Sequence, residues 1–276
     1  MIRAPLRRLR FGLSTLLGLA PRGFFIPYRH AGSVEASDYP ALRPLFQRGE
    51  PAFESVMRDV AALADGLAAV AAGKGPARFD QDWFPRLDAA VAYAQVRTVR
   101  PRRVVEIGSG HSTRFLARAV ADGGLDTDIL CIDPAPRARL EGLRVRHERK
   151  LLRDIDPGVF AKLEANDILF VDSSHVAMPG TDVDRLLLDV APSLAAGVLI
   201  HVHDIFLPDA YPAAWEWRGY NEQLLVGALL QGQAYEIVFA SRYLVTRRQD
   251  LIEGSALSRL PLLPGAFDTS LWLRKR

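Results

Sequence analysis

Cysteine is almost absent: Cys131 stands alone among 276 residues. One thiol excludes an intrachain disulfide and a cysteine-based zinc site, and it suits a reducing compartment. Charge of one sign is also scarce. Thirty-five basic and 32 acidic residues leave a formal net charge of +3, too little for the basic face of a nucleic-acid binder. The expected partner is a small molecule. Much of the excess sits at the two ends, in Arg3, Arg7, Arg8 and Arg10 and in Arg274, Lys275 and Arg276. The apolar run FGLSTLLGLA at 11–20 is shorter than the roughly 20 residues that span a bilayer as a helix. No small-x-small cleavage site follows it. The chain is therefore expected to be cytoplasmic. Its basic-apolar arm is expected to contact a membrane surface weakly or to pack on the protein, and nothing in the sequence sets an oligomeric state. Pro21, Pro27, Pro40 and Pro44 predict an irregular segment over 1–50.

What is present begins with a change of period at Pro51. Phe53, Val56, Met57, Val60, Leu63, Leu67 and Val70 recur at three and four residues, the face of an amphipathic helix. A second helix is expected over 81–98. From Arg103 the pattern alternates between short apolar strands and helices. Strands are expected at 103–107, 129–132, 143–147, 168–171, 197–202, 235–240 and 269–273, with helices at 112–121, 157–165, 182–195 and 221–231. This is the pattern of βαβ units: an α/β, doubly wound, mostly parallel seven-stranded sheet with an N-terminal helical cap. The expected division is a 1–98 arm and cap and a 99–276 ligand-binding domain. Ligands of such sheets bind beyond the carboxyl ends of the strands.

Those ends carry the chemistry. After the first strand comes EIGSGHST, 106–113. Gly108 and Gly110 allow a tight turn and a close backbone approach to a ligand. The third glycine of a dinucleotide fingerprint is missing, with Thr113 in its place. Glu106 suits a cationic amino-acid moiety better than a pyrophosphate. A plain strand-to-helix turn is the competing reading. Asp133 ends the second strand, where an acid can accept from both ribose hydroxyls. FVDSSH and HVHDIFLP place Asp172, Ser173, His175, His203 and Asp204 on neighbouring strand ends. An aspartate ending an apolar strand needs a metal, a hydrogen-bond network or a substrate. Catalytic acid–base work by His175, His203 and Asp172, a divalent ion held by histidine and carboxylate, and a polar closure of the sheet edge all remain open. His201, which alternates with His203, is expected to point to the other face and to be structural. In the loop 205–220, Trp215, Arg218 and Tyr220 are candidates for a substrate pocket, with Arg218 suited to a carboxylate or phosphate.

This order of parts resembles the class I S-adenosylmethionine (SAM)-dependent methyltransferases over about 100–245, and a bacterial small-molecule subgroup of them. EIGSGHS resembles their glycine-rich loop, with Ser112 replacing the third glycine. The resemblance implies a SAM-binding Rossmann-like domain. It assigns Glu106, Gly108, Ser109, Gly110, Ser112, Asp133, Asp154 and Asp172 to the cofactor. Asp172 and Asp204 fall where some relatives hold Mg²⁺, although the acid–amide pair usual after the fifth strand is replaced by His203-Asp204. The Asn/Asp-Pro-Pro-Tyr/Phe signature of base methylation is absent after the fourth strand. The expected activity is methyl transfer from SAM to an oxygen or nitrogen of a small molecule. The alternatives are a metal-dependent hydroxylase or hydrolase on the same scaffold and a non-catalytic binding module.

Overall fold

The computed structural model describes residues 3–276. The chain divides into two compact units, Met1–Ser37 and Asp38–Arg276. The first contains helix α1 (Arg3–Leu16) and a short 3-10 turn, Ala31–Ser33. The irregular segment expected over 1–50 is thus corrected. Leu6, Leu9, Leu13 and Leu16 repeat at helical spacing, and Pro21 and Pro27 stand beyond the helix end.

The second unit opens with α2 (Arg43–Ala62), α3 (Ala64–Ala71) and α4 (Arg86–Val99). Pro44 lies in the first turn of α2, where a missing N–H costs no helical bond. That is why α2 starts ahead of the expected Pro51. The helix expected from 81 starts at Arg86 instead. Gln81 Oε1 accepts from the amides of Trp83 and Phe84 at 2.9 and 2.8 Å, which folds 81–84 into a turn ahead of Pro85.

The strands are β1 (Arg103–Ile107), β2 (Asp128–Ile132), β3 (Arg146–Glu148), β4 (Ile168–Val171), β5 (Leu199–Val202), β6 (Tyr235–Ala240) and β7 (Leu271–Lys275). Helix α5 (His111–Asp122) follows β1, and α6 (Gly158–Ala161) is one turn of the expected longer helix. Helix α7 (Asp182–Arg185) runs through a π turn, Leu186–Val190, into α8 (Ala191–Ser193). Helix α9 (Glu222–Gln231) precedes β6, and α10 (Ser241–Arg247), which the sequence reading did not foresee, follows it. The sheet order is β3-β2-β1-β4-β5-β7-β6. The pairs joining β3 through β5 are parallel, and β7 lies antiparallel between β5 and β6. The fold is the Rossmann-like seven-stranded sheet that the alternation of short strands and helices implied.

Register is what builds a site here. Ile107 pairs with both Ile132 and Val171, and Val171 pairs with Val202. Four strands therefore end on one line. The next residues, Gly108, Asp133, Asp172 and His203, form a row at the carboxyl edge. The chain turns from one half of the sheet to the other between β1 and β4, which is the switch point where such sheets bind ligands.

The sheet buries one histidine outright. His201 stacks on Phe170 at 3.7 Å between ring centroids and lies 4.9 Å from Trp272. Its Nε2 meets Ser270 Oγ at 2.7 Å. Burial first, and then the neighbouring His203, hold its pKa well below the usual 6.5. It is a neutral core residue, as expected. The expected opposite orientation is corrected, because its ring centroid lies 5.9 Å from that of His203. Side chains two apart on a strand share a face.

Candidate active site

The loop after β1 is organised around a buried carboxylate. Glu106 is fully buried. Its Oε1 accepts from Ser112 Oγ at 2.7 Å, and its Oε2 accepts from Thr113 Oγ1 at 2.6 Å and faces Cys131 Sγ at 3.3 Å. Thr113 Oγ1 in turn accepts from the Gly110 amide at 2.9 Å. Burial pushes Glu106 up to about 7 against the pull of these donors. Glu106 and Ser112 thus hold the loop's shape from beneath. Thr113, which stands where a dinucleotide fingerprint has glycine and is a candidate cap of the next helix, ties the loop to the start of α5.

Gly108 has φ +79°, and a Cβ built there would lie 1.8 Å from the carbonyl oxygen of Asp172. Only glycine fits. Its amide donates to Ile132 O at 3.0 Å, while the Asp172 amide donates to Ile107 O at 2.9 Å. Asp133 sits beside the loop and accepts from the amides of Ser109 and Ala135, both at 2.7 Å. Asp154 stands on an exposed 3-10 turn, Leu152–Asp154, 3.8 Å from Arg153 Nε, and joins none of these bonds.

On the β4–β5 side the four expected residues close into a ring. His175 Nε2 lies 3.2 Å from Asp172 Oδ1 and 3.5 Å from Asp204 Oδ2. His203 Nδ1 lies 3.5 Å from Asp172 Oδ1 and 3.5 Å from Asp204 Oδ1. The outer nitrogens are anchored separately, His175 Nδ1 to Glu222 Oε2 at 2.9 Å and His203 Nε2 to Asp88 Oδ2 at 3.1 Å. His175 and Asp204 adopt the left-handed backbone region, with φ 60° and 56°. Non-glycine residues seldom take that conformation, and it concentrates at functional sites.

The electrostatics follow from this alternation of acid and imidazole. Burial opposes charge on His175, but Asp172, Glu222 and Asp204 outweigh it and raise its pKa well above 6.5. Burial also opposes charge on His203, and Asp172, Asp204 and Asp88 raise it in the same way. For Asp172 the burial cost is overcome by His203 and His175, which hold it well below 3.8. The carboxylate neighbours thus favour the protonated form of both imidazoles of the ring.

Sequence reasoning left out the two anchors. Asp88 is fully buried on α4, and its signal was an acid set between Leu87 and Ala89 in an apolar helix. Glu222 stands in the first turn of α9. Asp88 also accepts from the amides of Thr269 and Ser270 at 2.8 and 2.9 Å.

The aromatic loop comes to the same place. Arg218 lies over Trp215 at 3.9 Å and near Tyr220 at 5.3 Å, with Nη1 3.9 Å from Asp204 Oδ2. The Tyr220 ring centroid is 4.6 Å from that of His175. A cavity of about 70 Å³ is lined by Asp172, His203, Asp204, Trp215 and Arg218, and by Arg137, whose guanidinium lies 4.3 Å over Trp83.

The methyltransferase-domain family model matches residues 105–205, the span from β1 through the ring. Residues 105–205 are thus similar to a methyltransferase domain. No curated protein matches the chain in sequence. Among solved structures, the SAH-bound methyltransferase PaMTH1 of Podospora anserina is 17% identical, covering 92% of this chain and 99% of that one at a TM-score of 0.43. An O-methyltransferase from Bacillus cereus, in complex with SAH, is 15% identical over 80% of this chain and 91% of that one, at 0.41. A Mg-SAM form of cmcI is 16% identical over 55% of this chain, which spans 64% of that one, at 0.36.

Magnesium does not suit this ring. The ion prefers oxygen and water ligands in near-octahedral array, whereas here two imidazole side chains alternate with the carboxylates. Among the described residues no group of three or more His, Cys, Asp or Glu side chains is disposed to hold a metal ion. Asp172 and Asp204, expected as metal ligands, are paired with histidines instead.

Proposed function

We propose that this chain is a SAM-dependent methyltransferase, a cytoplasmic enzyme of the bacterial small-molecule kind that moves a methyl group from SAM to an oxygen or nitrogen of its acceptor. The observation that carries this reading is the row of strand ends, with a glycine turn at β1, a carboxylate at β2 and a proton-handling ring at β4 and β5. SAM, when bound, supplies an electrophilic methyl group on a sulfonium centre. In this reading Gly108, Ser109 and Gly110 seat it. Asp133 accepts from its ribose through Oδ1, which takes only the Ala135 amide and keeps a further lone pair. Trp215, Tyr220 and Arg218 form the acceptor's wall, with Arg218 available to an anionic group.

His203 lines the cavity and takes the acceptor's proton. Asp88 keeps a proton on its Nε2, so the neutral ring presents Nδ1 as the base. Asp172 and Asp204 then stabilise the imidazolium that results. His175, deeper and tied to Glu222, positions the two carboxylates.

Calorimetric titration of chelator-treated protein with SAM and with SAH, repeated after adding Mg²⁺, tests the cofactor. Micromolar binding supports the reading, and no binding in either condition overturns it. Asp133→Ala is expected to weaken SAM binding roughly 10- to 100-fold, as the loss of a charged acceptor does, with an unchanged circular dichroism spectrum. Retained affinity in that variant contradicts the assignment.

The pH profile follows from the direction of the histidine shift. A base must be unprotonated, and His203 is held well above 6.5. Activity with an identified acceptor is therefore expected to rise as pH climbs through that raised value, so the acidic limb of kcat/KM lies on the alkaline side of 6.5. His203→Gln is expected to remove the limb and to lower the rate roughly 10²- to 10⁴-fold. A limb at the ordinary histidine position would show that the ring does not govern the proton.

A further inference from the structure

The N-terminal unit carries an apolar surface that the methyltransferase reading leaves without a role. Leu6, Leu9, Leu13 and Leu16 of α1 expose between 49% and 63% of their surface. At 100° per residue they fall within an arc of about 80°, a single stripe. Beyond Pro21, Phe24, Phe25 and Ile26 expose 60–68%. Soluble proteins seldom leave contiguous apolar surface of this kind uncovered.

The charge of the same segment says what covers it. Residues 1–34 hold six arginines and no aspartate, glutamate or lysine, while the rest of the chain has more acidic than basic residues. Arg7, Arg8 and Arg10 lie off the leucine stripe on α1, and Arg22 and Arg29 flank the Phe24–Ile26 run. All five are exposed. Arg7 and Arg22 both lie over Phe11, at 5.2 and 5.8 Å. A leucine stripe bordered by cations, in a sequence stretch whose first acid is Glu35, is the pattern of a helix lying in the headgroup layer of an anionic bilayer. No helix among the described residues is long and apolar enough to cross a membrane.

We propose that α1 and the Phe24–Ile26 run anchor this enzyme to the surface of an anionic phospholipid bilayer. The leucines and the phenylalanines enter the acyl boundary, and the arginines meet lipid phosphates. This anchoring is independent of the acceptor and of the acid–base ring.

Co-sedimentation of the full chain with vesicles tests it. Equimolar phosphatidylglycerol–phosphatidylcholine vesicles are expected to carry the protein down, and pure phosphatidylcholine vesicles to leave most of it in solution. Binding falls as salt rises, because screening weakens the charge term. Arg7→Ser/Arg8→Ser/Arg10→Ser is expected to lower partitioning roughly 100-fold, about fivefold per arginine. Leu9→Ser/Leu13→Ser is expected to abolish sedimentation while leaving the melting temperature and SAM affinity of the parent protein unchanged. Equal binding to both vesicle types, or to neither, overturns the proposal. So does a parent protein that elutes as a dimer and becomes monomeric with the leucine variant, which would assign the stripe to a second copy of the chain.

Discussion

Gly108→Ala is expected to abolish SAM binding and to destabilise the fold by about 2–5 kcal/mol. Part of that cost is the left-handed backbone, φ +79°, at about 1–2 kcal/mol for a residue with a Cβ. The rest is overlap. The new methyl would sit 1.8 Å from the Asp172 carbonyl oxygen. That atom is main chain at the end of a central strand and cannot swing aside like a flexible side chain. Overpacking of this kind typically adds about 1–3 kcal/mol. Thermal melts and calorimetric titration of the variant check both halves. Parent-like affinity for SAM would show that the loop does not seat the cofactor.

The second large effect is expected at Asp88. Its two oxygens serve three donors, the Thr269 and Ser270 amides and His203 Nε2, from a position with no exposure. Asp88→Ala leaves two buried amides and His203 Nε2 without a partner, a loss of about 3–5 kcal/mol, measurable by urea denaturation. The carboxyl of Asp268, which burial and then Asp88 push up to about 7, is expected to titrate lower in this variant. A destabilisation under about 1 kcal/mol would mean that Asp88 is not the hub of this junction. The parent protein should also show the linkage in its stability. The folded pKa of His203 is raised, so its stabilisation is complete below 6.5, its unfolded value. It is lost as pH rises through the folded value. Removing Asp88 should flatten that alkaline decline. The window in which His203 becomes an effective base is therefore also the window in which the ring holds the fold less tightly.

Much of this site could be read before the fold was known, and particular residues show why. Strand ends are local events. An apolar run followed by a glycine turn or a lone aspartate marks them, so Gly108, Asp133, Asp172, His203 and Asp204 stood out from spacing alone. Asp88 and Glu222 did not, because their roles depend on α4 and α9 packing onto distant strands. His203 and Asp88 are 115 positions apart, and no local pattern encodes that meeting. The orientation of His201 failed for a simpler reason: residues two apart were assigned to opposite faces. The helix in 3–16 was hidden by prolines that stand beyond it. Glu106 was read as a ligand contact because nothing in EIGSGHST says that Ser112 and Thr113 turn inward to meet it.

Asp172 belongs to two structures at once. Its carbonyl oxygen is the wall against which Gly108 closes, and its carboxylate is a corner of the histidine ring. Five bonds separate the two oxygens, and the two histidines that face the carboxylate restrain the rotatable ones. Any shift of the glycine turn that moves this peptide must rotate the carboxylate relative to both imidazoles. The glycine turn and the histidine ring are thus geared through a single residue, and a mutation that retunes one is expected to reset the other.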